Sequence, residues 1–136
     1  MQRVLILCTA NSARSQMAEG LLRVRGGYRF EVHSAGAHPT RVRPEAIAVM
    51  AELGIDISGH WSKSTAEFVD QAFDFVITVC DSAKDVCPVF PGGATYLHWS
   101  LTDPAAQEGD EAVRLEAFRR IRDQIDSRIG IWLGGV

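Results

Sequence analysis

Short apolar runs alternate along this chain with longer stretches in which apolar side chains recur every three or four residues. The runs have the length of β-strands, and the longer stretches have the spacing of amphipathic helices. Strands that alternate with helices of ten or more residues pair in parallel, through right-handed crossover connections. The sequence therefore predicts a single α/β domain over residues 1–136, with a four-stranded parallel sheet flanked by helices on both faces.

The predicted elements follow one another over the length of the chain. The strands are the apolar runs at residues 3–8, 30–35, 73–80 and 94–99. Start and stop residues bound the helices, which are residues 15–25, a helix from Pro44 to Leu53, a shorter helix capped by Ser64, and a long helix over 110–132. In such sheets the ligand site lies beyond the carboxyl ends of the strands. Cys8 and Cys80 each end a predicted strand, so we expect both to face that site.

Composition and charge exclude several classes of protein. Hydrophobic residues make up 46% and charged residues 23% of the 136 residues, which is typical of a folded domain rather than a disordered chain. The net charge of −3 argues against nucleic acid or an anionic membrane as the main partner. The longest apolar run, at residues 4–8, is far short of the ~20 residues that span a bilayer, and no signal-peptide pattern precedes it. We therefore expect a cytoplasmic, monomeric protein.

The cysteine and histidine content argues against a disulfide framework and against a metal centre. The chain has three cysteines, an odd number, and they form no C-x-x-C pair. The spacing of the four histidines matches no familiar ligand pattern; they are His33, His38, His60 and His98. The sequence therefore predicts that no metal takes part in the chemistry and that no cofactor is bound.

The segment between the first strand and the first helix has the properties of an anion-binding loop. Cys8 is followed six positions later by Arg14, with mainly small residues between them. Backbone amides at a helix N-terminus bind anions, and an arginine side chain can clamp a tetrahedral oxyanion in two places. The same positive field favours the thiolate form of Cys8 at neutral pH. The candidate oxyanion-binding residues are Thr9, Ala10, Asn11, Ser12, Ala13, Arg14 and Ser15. A buried structural cysteine beside a surface arginine is the alternative.

The loop resembles the phosphate-binding loop of the low-molecular-weight protein tyrosine phosphatase family. Cys8, Asn11, Arg14 and Ser15 carry this resemblance. Two further matches are Ser34-Ala35-Gly36 after the second strand and Asp103-Pro104 before the last helix, so that the resemblance covers nearly the whole chain.

The resemblance implies a role for each of these residues. It makes Cys8 the nucleophile, Arg14 the clamp on the oxyanion and Asp103 the general acid. Ser15 then stabilises the Cys8 thiolate, and Asn11 holds the shape of the loop. Asp-Pro is also an ordinary turn signal. The general-acid role of Asp103 is therefore expected only because the Cys8–Arg14 loop is present.

Two further cysteines separate this chain from family members that only hydrolyse phosphate esters. Six residues separate Cys80 from Cys87, and a segment rich in Pro and Gly follows them, which suits two thiols that meet only transiently. The pattern is similar to that of the thioredoxin-coupled arsenate reductases, in a Cys-x6-Cys-Pro segment followed by His98-Trp99. Ala105-Ala106 stands where tyrosine phosphatases usually have aromatic residues. Two unpaired cytosolic thiols are the alternative.

This second resemblance implies that the protein reduces arsenate to arsenite through a three-cysteine relay, for arsenic detoxification. Cys8 attacks arsenate, Cys80 and then Cys87 resolve the adduct, and thioredoxin is the external reductant. Phosphate and sulfate are expected to compete for the loop. The alternatives are a phosphatase acting through a Cys8 phospho-enzyme and, with less support, a non-catalytic oxyanion sensor. Glutaredoxin or a mycothiol-type donor also remains open in place of thioredoxin.

One branch of these reductases is thought to bind potassium behind the loop. The residues that match its ligands here are Asn11, Glu19 and Ser34, but Lys63 stands where that branch has an Asp. We predict that the Lys63 ammonium replaces the ion beside Glu19, and that activity is insensitive to potassium. Together with Ser15, these residues are the predicted support of the loop. A solvent-exposed Lys63 is the alternative.

Overall fold

The computed structural model describes residues 1–80 and 89–136. Within these ranges the chain forms four strands and three α-helices. In chain order they are β1 (Gln2–Cys8), α1 (Arg14–Gly26), β2 (Phe30–Gly36), α2 (Pro44–Ala51), β3 (Phe75–Thr78), β4 (Thr95–His98) and α3 (Glu111–Leu133). The short 3-10 helices are Gly27–Arg29, Thr65–Glu67 and Pro104–Ala106. Cys87 and the Pro that follows it lie outside the described residues.

The four strands form one parallel sheet in the order β2-β1-β3-β4. Strand β1 is central, and its last residue, Cys8, pairs with Gly36 at the end of β2. On its other side, Leu7 pairs with Thr78, the last residue of β3. The predicted four-stranded parallel sheet of an α/β fold is confirmed. Because the strands are parallel, Cys8 and Cys80 lie at the same edge of the sheet.

The two faces of the sheet are covered differently. Alternate side chains of β1 point to opposite faces. On one face, Val4, Ile6 and Cys8 pack into a hydrophobic cluster to which all three α-helices contribute. On the other face, Leu5 and Leu7 pack against aromatic residues, which are Phe68, Phe73 and Phe90. Among the described residues, no α-helix contributes to this second cluster, and Phe68 directly follows the 3-10 turn Thr65–Glu67.

The ends of several elements differ from the sequence predictions. Strand β3 starts at Phe75 rather than at Phe73, because Phe73 packs edge-on against Phe68 and Phe90. Helix α2 stops at Ala51, and the amide of Gly54 then donates to the Ala51 carbonyl in a closing turn. Ser64 caps a 3-10 turn rather than a longer helix. No helix in residues 1–80 and 89–136 is long and apolar enough to cross a membrane.

Candidate active site

Residues 9–13 form a loop that leads from the end of β1 into the first turn of α1. At its centre Asn11 is fully buried and has a φ of 48°, in the left-handed region that asparagine tolerates better than most residues. Ser12 and Ala13 are buried as well. The loop is therefore a packed part of the fold that lies directly before a helix N-terminus, where amide groups favour anions.

The segment that follows β2 holds the outside of this loop through its backbone. The amides of His38, Thr40 and Arg43 donate to the carbonyls of Thr9, Ala10 and Ser12, at 2.9, 3.2 and 2.9 Å. Because these carbonyls already have donors from the protein, what the loop offers a ligand is its amide N–H groups. This arrangement is suited to binding an anion.

Gly36 makes the close approach between β2 and the loop possible. A Cβ atom at this position would lie 2.6 Å from the Thr9 carbonyl oxygen and 2.8 Å from both the Asn11 amide and the Cys8 carbonyl. Backbone atoms cannot yield to such contacts without moving the loop. Glycine is therefore required here for steric reasons.

A chain of hydrogen bonds runs from Cys8 into the protein. Cys8 Sγ lies 2.8 Å from Ser15 Oγ, and Asn11 Nδ2 donates to Ser15 Oγ at 2.8 Å and to Ser34 Oγ at 3.0 Å. Since Ser15 Oγ accepts from Asn11, its own proton is available to Cys8 Sγ. A hydroxyl at this distance can donate that proton to the sulfur.

Glu19 lies at the inner end of this chain, with its side chain only 3% exposed. Ser34 Oγ donates to Glu19 Oε1 at 2.6 Å, and Lys63 Nζ lies 3.7 Å from the same oxygen. Arg23 Nη1 and His60 Nδ1 lie 3.1 and 3.5 Å from Oε2. Burial lowers the pKa of His60, although the nearby Glu19 carboxylate opposes the shift. Lys63 and Arg23 are therefore the cations that balance Glu19 at neutral pH.

The structure brings together the predicted support residues Asn11, Ser15, Glu19, Ser34 and Lys63. Besides Glu19, the Lys63 ammonium contacts the carbonyl oxygen of Trp61 at 3.0 Å and lies 4.9 Å from the centre of the Trp61 ring. The side chain is only 10% exposed. An ammonium from the chain already stands beside the carboxylate, so the residues present do not fit an additional potassium ion.

Arg14 and Asp103 meet at the open side of the loop. Arg14 is buried; its Nη1 donates to the Leu101 carbonyl at 3.0 Å, and its Nη2 lies 3.8 Å from Asp103 Oδ2. Asp103 Oδ1 accepts from the Ala105 amide at 2.9 Å, which caps the 3-10 helix Pro104–Ala106. The Asp103 side chain is 39% exposed. One of its carboxyl oxygens is therefore held by the backbone, while the other faces Arg14.

Cys8 and Cys80 are both buried at the carboxyl edge of the sheet. Cys80 follows β3, and its Sγ lies 4.0 Å from the carbonyl oxygen of Leu7, the residue before Cys8. The Cys80 carbonyl accepts from the Leu101 amide at 3.1 Å, and Leu101 is the residue that also binds Arg14. Leu101 therefore joins Cys80 to Arg14 through two hydrogen bonds.

Comparison with known proteins is consistent with this geometry. The family model described as low molecular weight phosphotyrosine protein phosphatase matches residues 3–136. The chain belongs to this family. Within the family it is similar to the arsenate reductase of Halalkalibacterium halodurans, with 43% identity over 93% of this chain and 91% of that protein. The arsenate reductase of Bacillus subtilis is 39% identical over the same shares.

Solved structures of the family have the same fold. An arsenate reductase in the phosphate binding state superposes with a TM-score of 0.85 at 36% identity, covering 98% of both chains. A thioredoxin-dependent arsenate reductase of Corynebacterium glutamicum has a TM-score of 0.76 at 34% identity, over 98% of this chain and 61% of that one. The resemblance that the sequence predicts, to the phosphatase family and its arsenate reductases, is confirmed.

A cleft adjoins Asp103 on the side of α3, and no residue of the loop at residues 9–13 lines it. This cleft of about 290 Å³ lies between the 3-10 helix Pro104–Ala106 and α3, and Asp103, Arg120 and Gln124 contribute to its lining. Ala106 lines it as well, without a large side chain. Among the described residues, no group of three or more His, Cys, Asp or Glu side chains is placed to hold a metal ion.

The sequence analysis overlooked Gln16 and the structural role of His60. Gln16 is fully buried in the first turn of α1, where its side chain contacts Asn11, Trp61 and His60. The sequence signal was weak, because a polar residue at the start of a helix usually faces solvent. The contacts with His60 and Trp61 span more than forty residues of sequence, so periodicity could not have found them.

Proposed function

We propose that this protein reduces arsenate to arsenite with Cys8, Cys80 and Cys87, and that thioredoxin recycles it in arsenic detoxification. The observation that carries the proposal is the position of Cys8. Its Sγ contacts Ser15 Oγ at 2.8 Å, at the base of an anion-binding loop whose arginine stands beside Asp103. Two arsenate reductases at about 40% identity support the substrate.

The first step is attack on arsenate bound in the loop. The loop amides and the Arg14 guanidinium hold the oxyanion, and the Cys8 thiolate forms a bond to arsenic. One oxygen leaves as hydroxide, and Asp103 protonates it to water, since hydroxide is a poor leaving group. Arg14 Nη2 lies 3.8 Å from Asp103 Oδ2. The group that binds arsenate and the group that protonates the leaving oxygen are therefore neighbours.

The second step transfers the electrons to arsenic. Cys80 attacks the sulfur of Cys8, which forms the Cys8–Cys80 disulfide and breaks the sulfur–arsenic bond. The bonding pair stays on arsenic, so that As(V) becomes As(III) and leaves as arsenite. Both cysteines lie buried at the same sheet edge, which limits competing attack by water.

The third step restores the nucleophile. Cys87 attacks the sulfur of Cys80, releasing the Cys8 thiolate and forming the Cys80–Cys87 disulfide, which the dithiol of thioredoxin then reduces. The spacing of the two cysteines supports this step, as does the thioredoxin dependence of the C. glutamicum reductase. Each exchange is thiolate attack on a disulfide or an arsenic-bound sulfur, so access controls its rate.

The decisive test is arsenate-dependent oxidation of NADPH in the presence of thioredoxin and thioredoxin reductase. We expect turnover that requires arsenate and that phosphate or sulfate inhibits competitively. Cys87→Ser should release about one arsenite per protein molecule and then stop, because the Cys8–Cys80 disulfide is no longer resolved. Sustained turnover by Cys87→Ser would rule out the relay.

Hydrolysis of phosphate esters is the second candidate function. It needs only Cys8, Arg14 and Asp103. Arg14 lies 3.8 Å from Asp103, and Cys8 lies at the start of the loop that leads into Arg14. A low molecular weight protein tyrosine phosphatase of T. tengcongensis superposes with a TM-score of 0.78 at 25% identity. Cys80→Ser separates the two functions: it should abolish arsenate turnover while hydrolysis of p-nitrophenyl phosphate, if present, continues. Equal loss of both activities would contradict this division of roles.

A further inference from the structure

Gln16 connects the oxyanion loop to the segment that supports it from behind. It is fully buried, and its Nε2 lies within hydrogen-bonding distance of three oxygens. These are the Asn11 carbonyl oxygen at 3.2 Å, Asn11 Oδ1 at 2.9 Å and the Trp61 carbonyl oxygen at 3.0 Å. At the other end of the carboxamide, Oε1 lies 3.0 Å from His60 Nδ1.

These neighbours determine which way the carboxamide faces. A nitrogen surrounded by three oxygens can only be the donor end, so Oε1 accepts a hydrogen bond from the Nδ1–H of His60. The backbone amide of Lys63 also donates to Asn11 Oδ1, at 2.9 Å. Gln16 and Lys63 thus both donate to the same oxygen of Asn11.

The direction of these bonds continues as far as the nucleophile. With Oδ1 occupied by two donors, Asn11 turns Nδ2 toward Ser15 and Ser34. Ser15 Oγ accepts that bond, which leaves its own proton for Cys8 Sγ at 2.8 Å. All the donors from His60 to Ser15 therefore point toward Cys8, and hydrogen bonds aligned in this way strengthen one another.

We infer that Gln16 is a positioning residue for Cys8. Its carboxamide holds Asn11 in the left-handed conformation and fixes the direction of the hydrogen bonds that stabilise the Cys8 thiolate. Gln16 acts only through Asn11 and Ser15 and does not touch the oxyanion. The inference rests on the proposed role of Cys8 as nucleophile, and it adds a residue that this role requires.

Gln71 offers a matched control for the effect of losing a bonded glutamine. Its Oε1 accepts from Arg3 Nη2 at 2.7 Å, and its Nε2 donates to the Glu67 carbonyl at 3.1 Å. Like Gln16, it is hydrogen-bonded at both ends of the carboxamide. It binds Arg3 of β1 and the Thr65–Glu67 turn, and none of its bonds leads to Asn11.

The experiment uses the full chain with Cys80→Ser and Cys87→Ser, which leaves Cys8 as the sole cysteine. The rate of alkylation by iodoacetamide is measured against pH in this parent and after adding Gln16→Met, Gln16→Asn or Gln71→Met. Met keeps the length of the side chain without its hydrogen bonds. Asn keeps the carboxamide but retracts it by about 1.5 Å, so that it cannot reach Asn11 and His60 together.

We expect both Gln16 variants to move the midpoint of the alkylation profile upward by about one pH unit, which is about a tenfold loss of rate on the acidic side. Gln71→Met should lower the melting temperature without moving the midpoint. An unchanged midpoint in a folded Gln16 variant would overturn the inference. If Gln16→Met does not fold, the midpoint of Gln16→Asn provides the test. A parent that itself reacts like free cysteine would count against the proposed nucleophile instead.

Discussion

Glu19 and Glu52 both bind cationic side chains, but Glu19 lies below the loop at residues 9–13, whereas Glu52 lies on the surface between α2 and α3. Glu19 is 3% exposed and contacts Arg23 at 3.1 Å and Lys63 at 3.7 Å. Glu52 is 39% exposed and binds Arg119 at 2.9 Å and Arg122 at 2.7 Å. The shorter contacts belong to the surface site. Distance alone therefore does not indicate which site matters more for stability and activity.

Burial accounts for the difference between the two sites. Water replaces a lost partner of an exposed side chain, so an exposed ion pair contributes little. The buried Arg122 keeps Asp123 and the Val49 carbonyl as partners when Glu52 is lost. A buried charge that loses its partner has no such replacement, and the cost is several kcal/mol. Glu19 also accepts from Ser34, whose oxygen accepts from Asn11, so its loss reaches the oxyanion loop. Glu52 joins α2 to α3, and its hydrogen bonds within the described residues do not lead to the loop at residues 9–13.

Glu19→Gln should have the largest effect. It leaves the Lys63 ammonium buried without its carboxylate, so we expect the free energy of unfolding to fall by about 3 kcal/mol. Cys8 should also react more slowly, because Ser34, which accepts from Asn11, loses the carboxylate to which it donates. Urea unfolding and alkylation of Cys8 measure the two effects. Glu52→Gln is the control, and an equal loss of stability in both variants would refute the comparison.

Lys63→Met should have an intermediate effect, because Arg23 still contacts Glu19 at 3.1 Å. We expect arsenate turnover by the unmodified protein to be the same in sodium and in potassium salts, because the Lys63 ammonium already lies beside the Glu19 carboxylate. The variant should be less stable and less active in sodium. A several-fold activation of the unmodified protein by potassium would show that Lys63 does not supply the required cation.

Glu52→Gln should have the smallest effect, and that effect should depend on acid and salt. Hydrogen bonds from Arg119, and then from Arg122, hold the pKa of Glu52 below its ordinary value of 4.5. The carboxylate therefore stabilises the folded state fully above that pH, and the contribution is lost as pH falls through the folded-state pKa. Thermal unfolding should show the two proteins converging at lower pH and in 1 M NaCl. A gap that widens on acidification would be inconsistent with this sign.

The sequence predicted the order and type of the elements because these depend on local patterns. Pro44 opens α2 at its first position, and Asp110 caps α3 by accepting from the Val113 amide, both of which are local signals. The ends of β3 were less predictable, since Phe73 leaves the strand only because it meets Phe68 and Phe90. Such packing depends on residues that are distant in sequence.

The residues of the candidate site likewise differ in whether local sequence or distant partners reveal them. The loop and its arginine follow one another in sequence and were predicted, and so was Lys63, through the family resemblance. Gln16 was not, because its function depends on partners at Trp61 and His60 that only the folded chain brings near. The spacing of apolar residues along a helix or strand indicates which face of that element is buried. It does not indicate which polar groups of another element will contact that face.

The backbone bonds from His38, Thr40 and Arg43 to the oxyanion loop limit how far this loop can be transplanted. An eight-residue segment moved into another scaffold would carry the cysteine and the arginine, but its outer carbonyls would lose their donors. The smallest portable unit is β1, the loop and the start of α1, together with β2 and the residues that follow it. A transplanted loop therefore needs the segment that follows β2 as well as its own residues.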